Sequence, residues 1–171
     1  PWAHRTLIVR ALKGLSHVID VAIVDWHMTE DGWHFSDRDG AVPDPISGHA
    51  FLRDIYTASD SSYSGRVTVP ILWDKKSNRI VSNESSEIIR MLNDAFAAHA
   101  KPDTDFYPSA LRAEIGEINE VVYDTVNNGV YKCGFAGTQE AYEAAFDALF
   151  ATLDSLEDRL SRQRYLVGNH M

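Results

Sequence analysis

Two apolar periodicities divide this 171-residue chain, and the change between them falls near residue 100. Before it, short β-branched runs alternate with amphipathic segments. After it, the apolar stripes repeat at helical spacing. Pro1 suits the first position of a helix, where its missing N–H has no intrahelical partner. Leu7, Ile8, Ala11 and Leu12 share one face of that helix, and Gly14 offers a left-handed cap. His17 to Val24 (HVIDVAIV) predicts a buried strand. Ala50 to Thr57 predicts a short amphipathic helix through Phe51, Leu52, Ile55 and Tyr56. Val67 to Trp73 and Arg79 to Ser82 predict a hairpin about a turn at Asp74 to Asn78. Pro70 is unusual there, because it cannot donate to a ladder. Asn83 to Phe96 predicts a helix with Asn83 as N-cap and Ile88, Ile89, Met91 and Leu92 on its buried side. His99 to Pro108 carries two prolines and polar filler, as a linker does. Beyond it, Leu111, Ile115, Ile118 and Val122 step 4-3-4. Tyr142, Phe146, Leu149, Leu153, Leu156 and Leu160 step 4-3-4-3-4, with Glu140 and Glu143 near the start of that helix and Arg162 and Arg164 near its end, complementing the dipole. The expected organisation is an α/β domain over 1–98, a linker over 99–108 and an all-helical domain over 109–171.

Composition narrows the function. The formal net charge is −9, which argues against nucleic acid or an anionic membrane as main partner, since both favour a basic face. No run approaches the roughly 18 apolar residues that suggest a membrane span. The single cysteine, Cys133, cannot form an internal disulfide, and a reducing, cytoplasmic setting fits. It stands in VYKCGFA, where a helix end is predicted, and a helix end disfavours a thiolate; a passive small hydrophobe is the better reading. The histidines at 17, 27, 34, 49, 99 and 170 lack metal-ligand spacing such as HxxxH, so no metal is expected. No Gly-rich phosphate loop and no G-x-S-x-G elbow is present. The stretch from Asp25 to Gly48 has no periodicity, and long loops of this kind are often functional.

Four stretches carry a resemblance: PWAHRTL (1–7), VPILWD (69–74), NESSE (83–87) and VNNGVYKCGFA (126–136). Together these resemble the glutathionyl-hydroquinone reductases, the Xi-type branch of the glutathione transferases, over essentially the whole chain. The resemblance implies a thioredoxin-like α/β domain followed by an all-α domain, with one further strand ahead of Pro1. It implies a cysteine immediately before Pro1, at a helix N-terminus where thiolate is favoured, and a protein that continues past Met171. It also implies glutathione as co-substrate, glutathionyl-hydroquinones as substrates, and a homodimer.

The same resemblance assigns residues. A cis Pro70 would turn the Val69 backbone outward to pair with the cysteinyl backbone of glutathione as an added strand does; a kinked edge strand is the alternative. Ser85 would bond the γ-glutamyl carboxylate and Glu84 its ammonium, at a helix start whose free N–H groups favour an anion. Capping by Asn83, Ser85 and Ser86 is compatible with that. Trp33 would pack over glutathione, or only anchor its loop. Arg66 would pair with a glutathione carboxylate, or lie solvated at the surface. Tyr131 would hydrogen-bond or protonate the leaving phenol oxygen; a half-buried core tyrosine is the alternative. Two other functions stay open: a non-catalytic glutathione-fold binding or assembly module, and a conjugating transferase that activates the thiol of glutathione with a hydroxyl.

Overall fold

A computed structural model describes residues 2–101 and 104–169. Pro1, expected at the head of the first helix, and Pro102, expected in the linker, lie outside them. The chain forms two compact units, Pro1–Asp105 and Phe106–Met171.

The first unit is α/β. Helix α1 spans Trp2–Leu12, α2 Leu52–Ser59 and α3 Ser85–Asp94, and strands β1 (Leu72–Asp74) and β2 (Arg79–Ser82) form an antiparallel hairpin. The period-2 pattern of the stretch leading into β1 sorts its side chains between two cores. Val67, Val69, Ile71 and Trp73 pack with Leu52, Ile55 and Tyr56 of α2. Leu72 packs with Leu15, Ile88, Leu92 and Ala100. The second core is built where α1 lies on α3.

Three expectations are corrected here. Residues 17–24 do not form a strand. A 3-10 turn covers Leu15–His17, and the extended stretch after it makes one isolated bridge, Ile23 to Val42. A strand needs a neighbour to pair with. Instead, cavities of about 220 and 550 Å³ are each lined by residues of this stretch and of the 69–75 segment. Within the predicted hairpin, ladder pairing begins only at Leu72, after Pro70. On α1 the buried face is rotated from the predicted one. Thr6 is buried and Val9 packs on the α3 core, whereas Leu7 and Ile8 are exposed.

Gly14 has φ +64°, the left-handed conformation expected of a helix stop, and a Cβ there would collide with the Lys101 carbonyl oxygen. The same turn holds the end of the unit, where Lys101 N–H donates to the Lys13 carbonyl (2.9 Å). The Lys13 side chain is buried and its Nζ donates to the Thr104 carbonyl (2.7 Å).

The second unit is helical: α4 (Arg112–Val122), a π turn (Tyr123–Asn127), α5 (Gly129–Gly134) and α6 (Gln139–Arg162). Thr138 caps α6 by accepting from the Ala141 N–H (3.2 Å). Gly129, buried, brings α5 close to Leu149, the buried residue of the α6 stripe. Tyr142, Phe146, Leu153 and Leu160 of that stripe are exposed. Arg164 lies beyond the end of α6, so of the two expected arginines only Arg162 stands in its last turn.

Candidate functional site

Several polar side chains converge at the start of α3. Glu84 is the N-cap, in extended conformation, and its Oε1 accepts from the Ser86 N–H (3.1 Å). The expected cap, Asn83, does other work: its Nδ2 donates to the Tyr56 hydroxyl (3.3 Å). Ser82 locks the turn, accepting from the Glu84 N–H (3.0 Å) and donating to Glu87 (2.8 Å). Ser85 opens the helix and is buried. Its N–H has no acceptor among the described residues, as the first turn of a helix leaves it. Its hydroxyl is engaged from α1, by Arg5 Nε (3.0 Å) and NH2 (2.8 Å). Arg5 NH2 also lies 3.6 Å from Glu84 Oε1. Burial lowers the Arg5 pKa from its ordinary value, against the opposing pull of Glu84.

The Val69–Pro70 peptide is cis. The Val69 side chain packs on the α2 core, while among the described residues its backbone N–H and carbonyl have no hydrogen-bond partner. Tyr56, buried in that core, ties the Val69 segment to the start of α3. Its hydroxyl donates to the Thr68 carbonyl (2.8 Å), next to Val69, and accepts from Asn83, next to Glu84.

Trp33 is half-buried in the α2 core, and its carbonyl accepts from the Leu52 N–H (3.0 Å). It thus anchors the loop to α2. Two buried carboxylates shape that loop. Asp25 accepts from the Ser36 hydroxyl (2.6 Å) and the His27 N–H (2.8 Å), which hold its pKa below the ordinary value, with Arg38 and His34 3.7 and 3.6 Å away. Burial alone would raise the pKa of Asp44. The N–H groups of Ile46, Ser47 and His49 and the His49 ring outweigh it, and the net shift is downward. Arg66 is exposed, and among the described residues its guanidinium pairs with nothing; only its carbonyl is used, by the Tyr63 hydroxyl (2.7 Å).

Tyr131 belongs to the second unit. It lies on α5, 40% exposed, with its ring stacked on Phe135 (6.4 Å, 11°). Cys133 is half-buried near the C-terminal end of the same helix. Among the described residues no group of three or more His, Cys, Asp or Glu side chains is arranged to hold a metal ion, and no helix is long and apolar enough to cross a membrane.

The profile of the glutathione S-transferase N-terminal domain matches residues 1–95. The chain belongs to the glutathione S-transferase family. This transferase chain is 56% identical over 171 residues to the glutathionyl-hydroquinone reductase PcpF of Sphingobium chlorophenolicum, covering all of this chain and 55% of the relative. Among solved structures it resembles glutathione-bound YqjG, a glutathione transferase homologue from Escherichia coli K-12, with TM-score 0.97 and 55% identity over all of this chain and 56% of the other. Transferase Xi 1 from Trametes versicolor gives TM-score 0.95 and 54% identity over 100% and 61%. These likenesses carry the fold, a thioredoxin-like α/β unit followed by a helical one, and match the Xi-type resemblance of the four motifs. The transferase chain spans about half the length of the curated relatives it matches.

Sequence reasoning misses three residues that hold the candidate site and its neighbouring loop together. Arg5 stands inside PWAHRTL, but its partner is 80 positions away. In the sequence Tyr56 is only an apolar helix position, and Asp25 only part of an aperiodic loop.

Proposed function

We propose that the protein containing this chain is a glutathione-dependent reductase that removes glutathione from glutathionyl-hydroquinones. In this scheme a cysteine thiolate immediately before Pro1, at the head of α1, attacks the glutathione sulfur. A sulfur–sulfur bond forms and the sulfur–carbon bond breaks. The electron pair goes to the ring carbon, which takes a proton, and hydroquinone leaves. The thiolate of a second glutathione then attacks the mixed disulfide, releasing glutathione disulfide and restoring the cysteine. The glutathione conjugate is reduced and glutathione is oxidised. A reducing, cytoplasmic setting suits this thiol chemistry, and a homodimer is the expected assembly by resemblance.

The observation that carries the reading is the pairing of two recognition elements in one unit. The Val69 backbone, without a hydrogen-bond partner among the described residues, suits the cysteinyl portion of glutathione, as strand addition requires. The Glu84–Ser85 turn offers a carboxylate for the ammonium and, for the carboxylate of the γ-glutamyl portion, the Ser85 N–H, which has no acceptor among the described residues. Similarity to a named glutathionyl-hydroquinone reductase and to a glutathione-bound structure supports the same reading. Trp33 would pack over glutathione near the thiol, and Arg66, whose guanidinium has no partner among the described residues, would meet the glycyl carboxylate. We assign Tyr131 the phenol oxygen of the hydroquinone, on the chemistry of its hydroxyl.

Incubating the protein with a glutathionyl-hydroquinone and glutathione should yield hydroquinone and glutathione disulfide in equal amounts. Conjugation of glutathione to chlorodinitrobenzene should be slow by comparison. Rapid conjugation without glutathione disulfide would favour the hydroxyl-type transferase, and no turnover of either substrate would favour a binding module. Tyr131→Phe should lower kcat at least tenfold and leave glutathione affinity within twofold. An unchanged kcat would return Tyr131 to a packing role.

A further inference from the structure

We propose that Arg5 is a positioning residue for glutathione recognition, which it serves by forcing the Ser85 hydroxyl to act as a donor. The inference rests on the assignment of Ser85 to the γ-glutamyl carboxylate. A serine hydroxyl has one hydrogen and two lone pairs. Here two N–H groups of one guanidinium, Nε at 3.0 Å and NH2 at 2.8 Å, converge on the same oxygen. With both lone pairs used, the remaining function of the hydroxyl is to donate. Among the described residues the hydroxyl finds as acceptor only Glu84 Oε1, at a long 3.4 Å, and that atom already accepts from the Ser86 N–H. The hydroxyl hydrogen is therefore poorly satisfied by the protein and available to a better acceptor.

A carboxylate is acceptor-only. A serine whose hydroxyl rotates freely meets it half-prepared, whereas one pinned as a donor meets it with no rotational adjustment. The Arg5 charge lies beside the same oxygen and favours an anion there. The guanidinium is itself held in place, with its carbon 5.1 Å from the Trp2 ring centroid in cation–π geometry. Trp2 and Arg5 are three apart on α1, so one helix face supplies both. A row of Trp2, Arg5, Ser85 and Glu84 thus links the start of α1, where the thiol chemistry is placed, to the start of α3, where the amino-acid end of the ligand is placed.

The test is glutathione titration by calorimetry on the whole protein that contains this chain. It compares Arg5→Gln, Ser85→Ala and the double variant, and repeats each with glutathione amidated at the γ-glutamyl α-carboxylate. Arg5→Gln is expected to weaken glutathione at least tenfold while kcat at saturation changes less than threefold. In the Ser85→Ala background the same change should cost less than threefold, and the amidated analogue should bind Arg5→Gln and wild type alike. Equal losses in both Ser85 backgrounds, or an equal loss for the amidated analogue, would overturn the inference and leave Arg5 as a tie between α1 and α3. If Ser85→Ala leaves glutathione affinity unchanged, the assignment of Ser85 fails as well. Should Arg5→Gln not fold, Arg5→Lys keeps a cationic donor without the fork. It should then lose at least threefold toward glutathione and nothing toward the amidated analogue, and the converse pattern would overturn the inference.

Discussion

Replacing Tyr56 by alanine is expected to lower folding stability by roughly 3–5 kcal/mol, the range for removing a buried aromatic side chain. Tyr56 is buried in the α2 core, against Tyr63 at a ring-centroid distance of 4.8 Å. Its hydroxyl also joins Thr68 and Asn83. Tyr56→Phe keeps the ring and removes those bonds, so it should lose about 1–3 kcal/mol, most of it from polar partners left unpaired. Because Thr68 adjoins Val69 and Asn83 adjoins Glu84, the phenylalanine variant should also bind glutathione more weakly. Denaturant unfolding and glutathione titration of the two variants check both parts. A Tyr56→Phe protein with wild-type stability and affinity would show that the hydroxyl organises neither segment.

The second large effect is expected on acidification. Asp25 and Asp44 both have pKa values below the ordinary carboxylate range in the folded protein. For groups shifted in that direction, the stabilisation is fully present above the unfolded value of about 3.9. It is lost as pH falls through the depressed folded value, because the unfolded chain binds the protons first. The loop from 25 to 50 should therefore loosen below about pH 4. Trp26 and Trp33 lie within it and report the change by fluorescence. Asp25→Asn removes the charge that Ser36, the His27 N–H, His34 and Arg38 surround. It should lower the melting temperature at neutral pH and flatten the acid limb. An acid limb of unchanged steepness in Asp25→Asn and in Asp44→Asn would refute the linkage.

What was legible in the sequence follows from where the determining interactions lie. Local patterns read well. The 4-3-4-3-4 stripe became the long α6, and Gly14 stops its helix in the left-handed conformation. Residues 17–24 read as a strand because β propensity describes a surface that fits a neighbour, and among the described residues this stretch has no strand partner beyond the Val42 bridge. Asn83 was the better N-cap by propensity, but the Tyr56 hydroxyl competes for its amide and Glu84 caps instead. Trp33 is an aromatic residue in a polar loop, and it lies half-buried against the α2 core. Arg5 escaped because no spacing rule joins it to Ser85; only the packing of α1 on α3 does.

The central claim is that the first unit reads glutathione at two positions, with Val69 on the cysteinyl backbone and Glu84 and Ser85 on the γ-glutamyl group. A crystal structure of the whole protein with glutathione tests it most directly. The account predicts backbone hydrogen bonds between Val69 and the cysteinyl residue, with the γ-glutamyl carboxylate on the Ser85 hydroxyl and N–H and its ammonium on Glu84. Glutathione bound elsewhere, or seated with its γ-glutamyl end away from the start of α3, would contradict it.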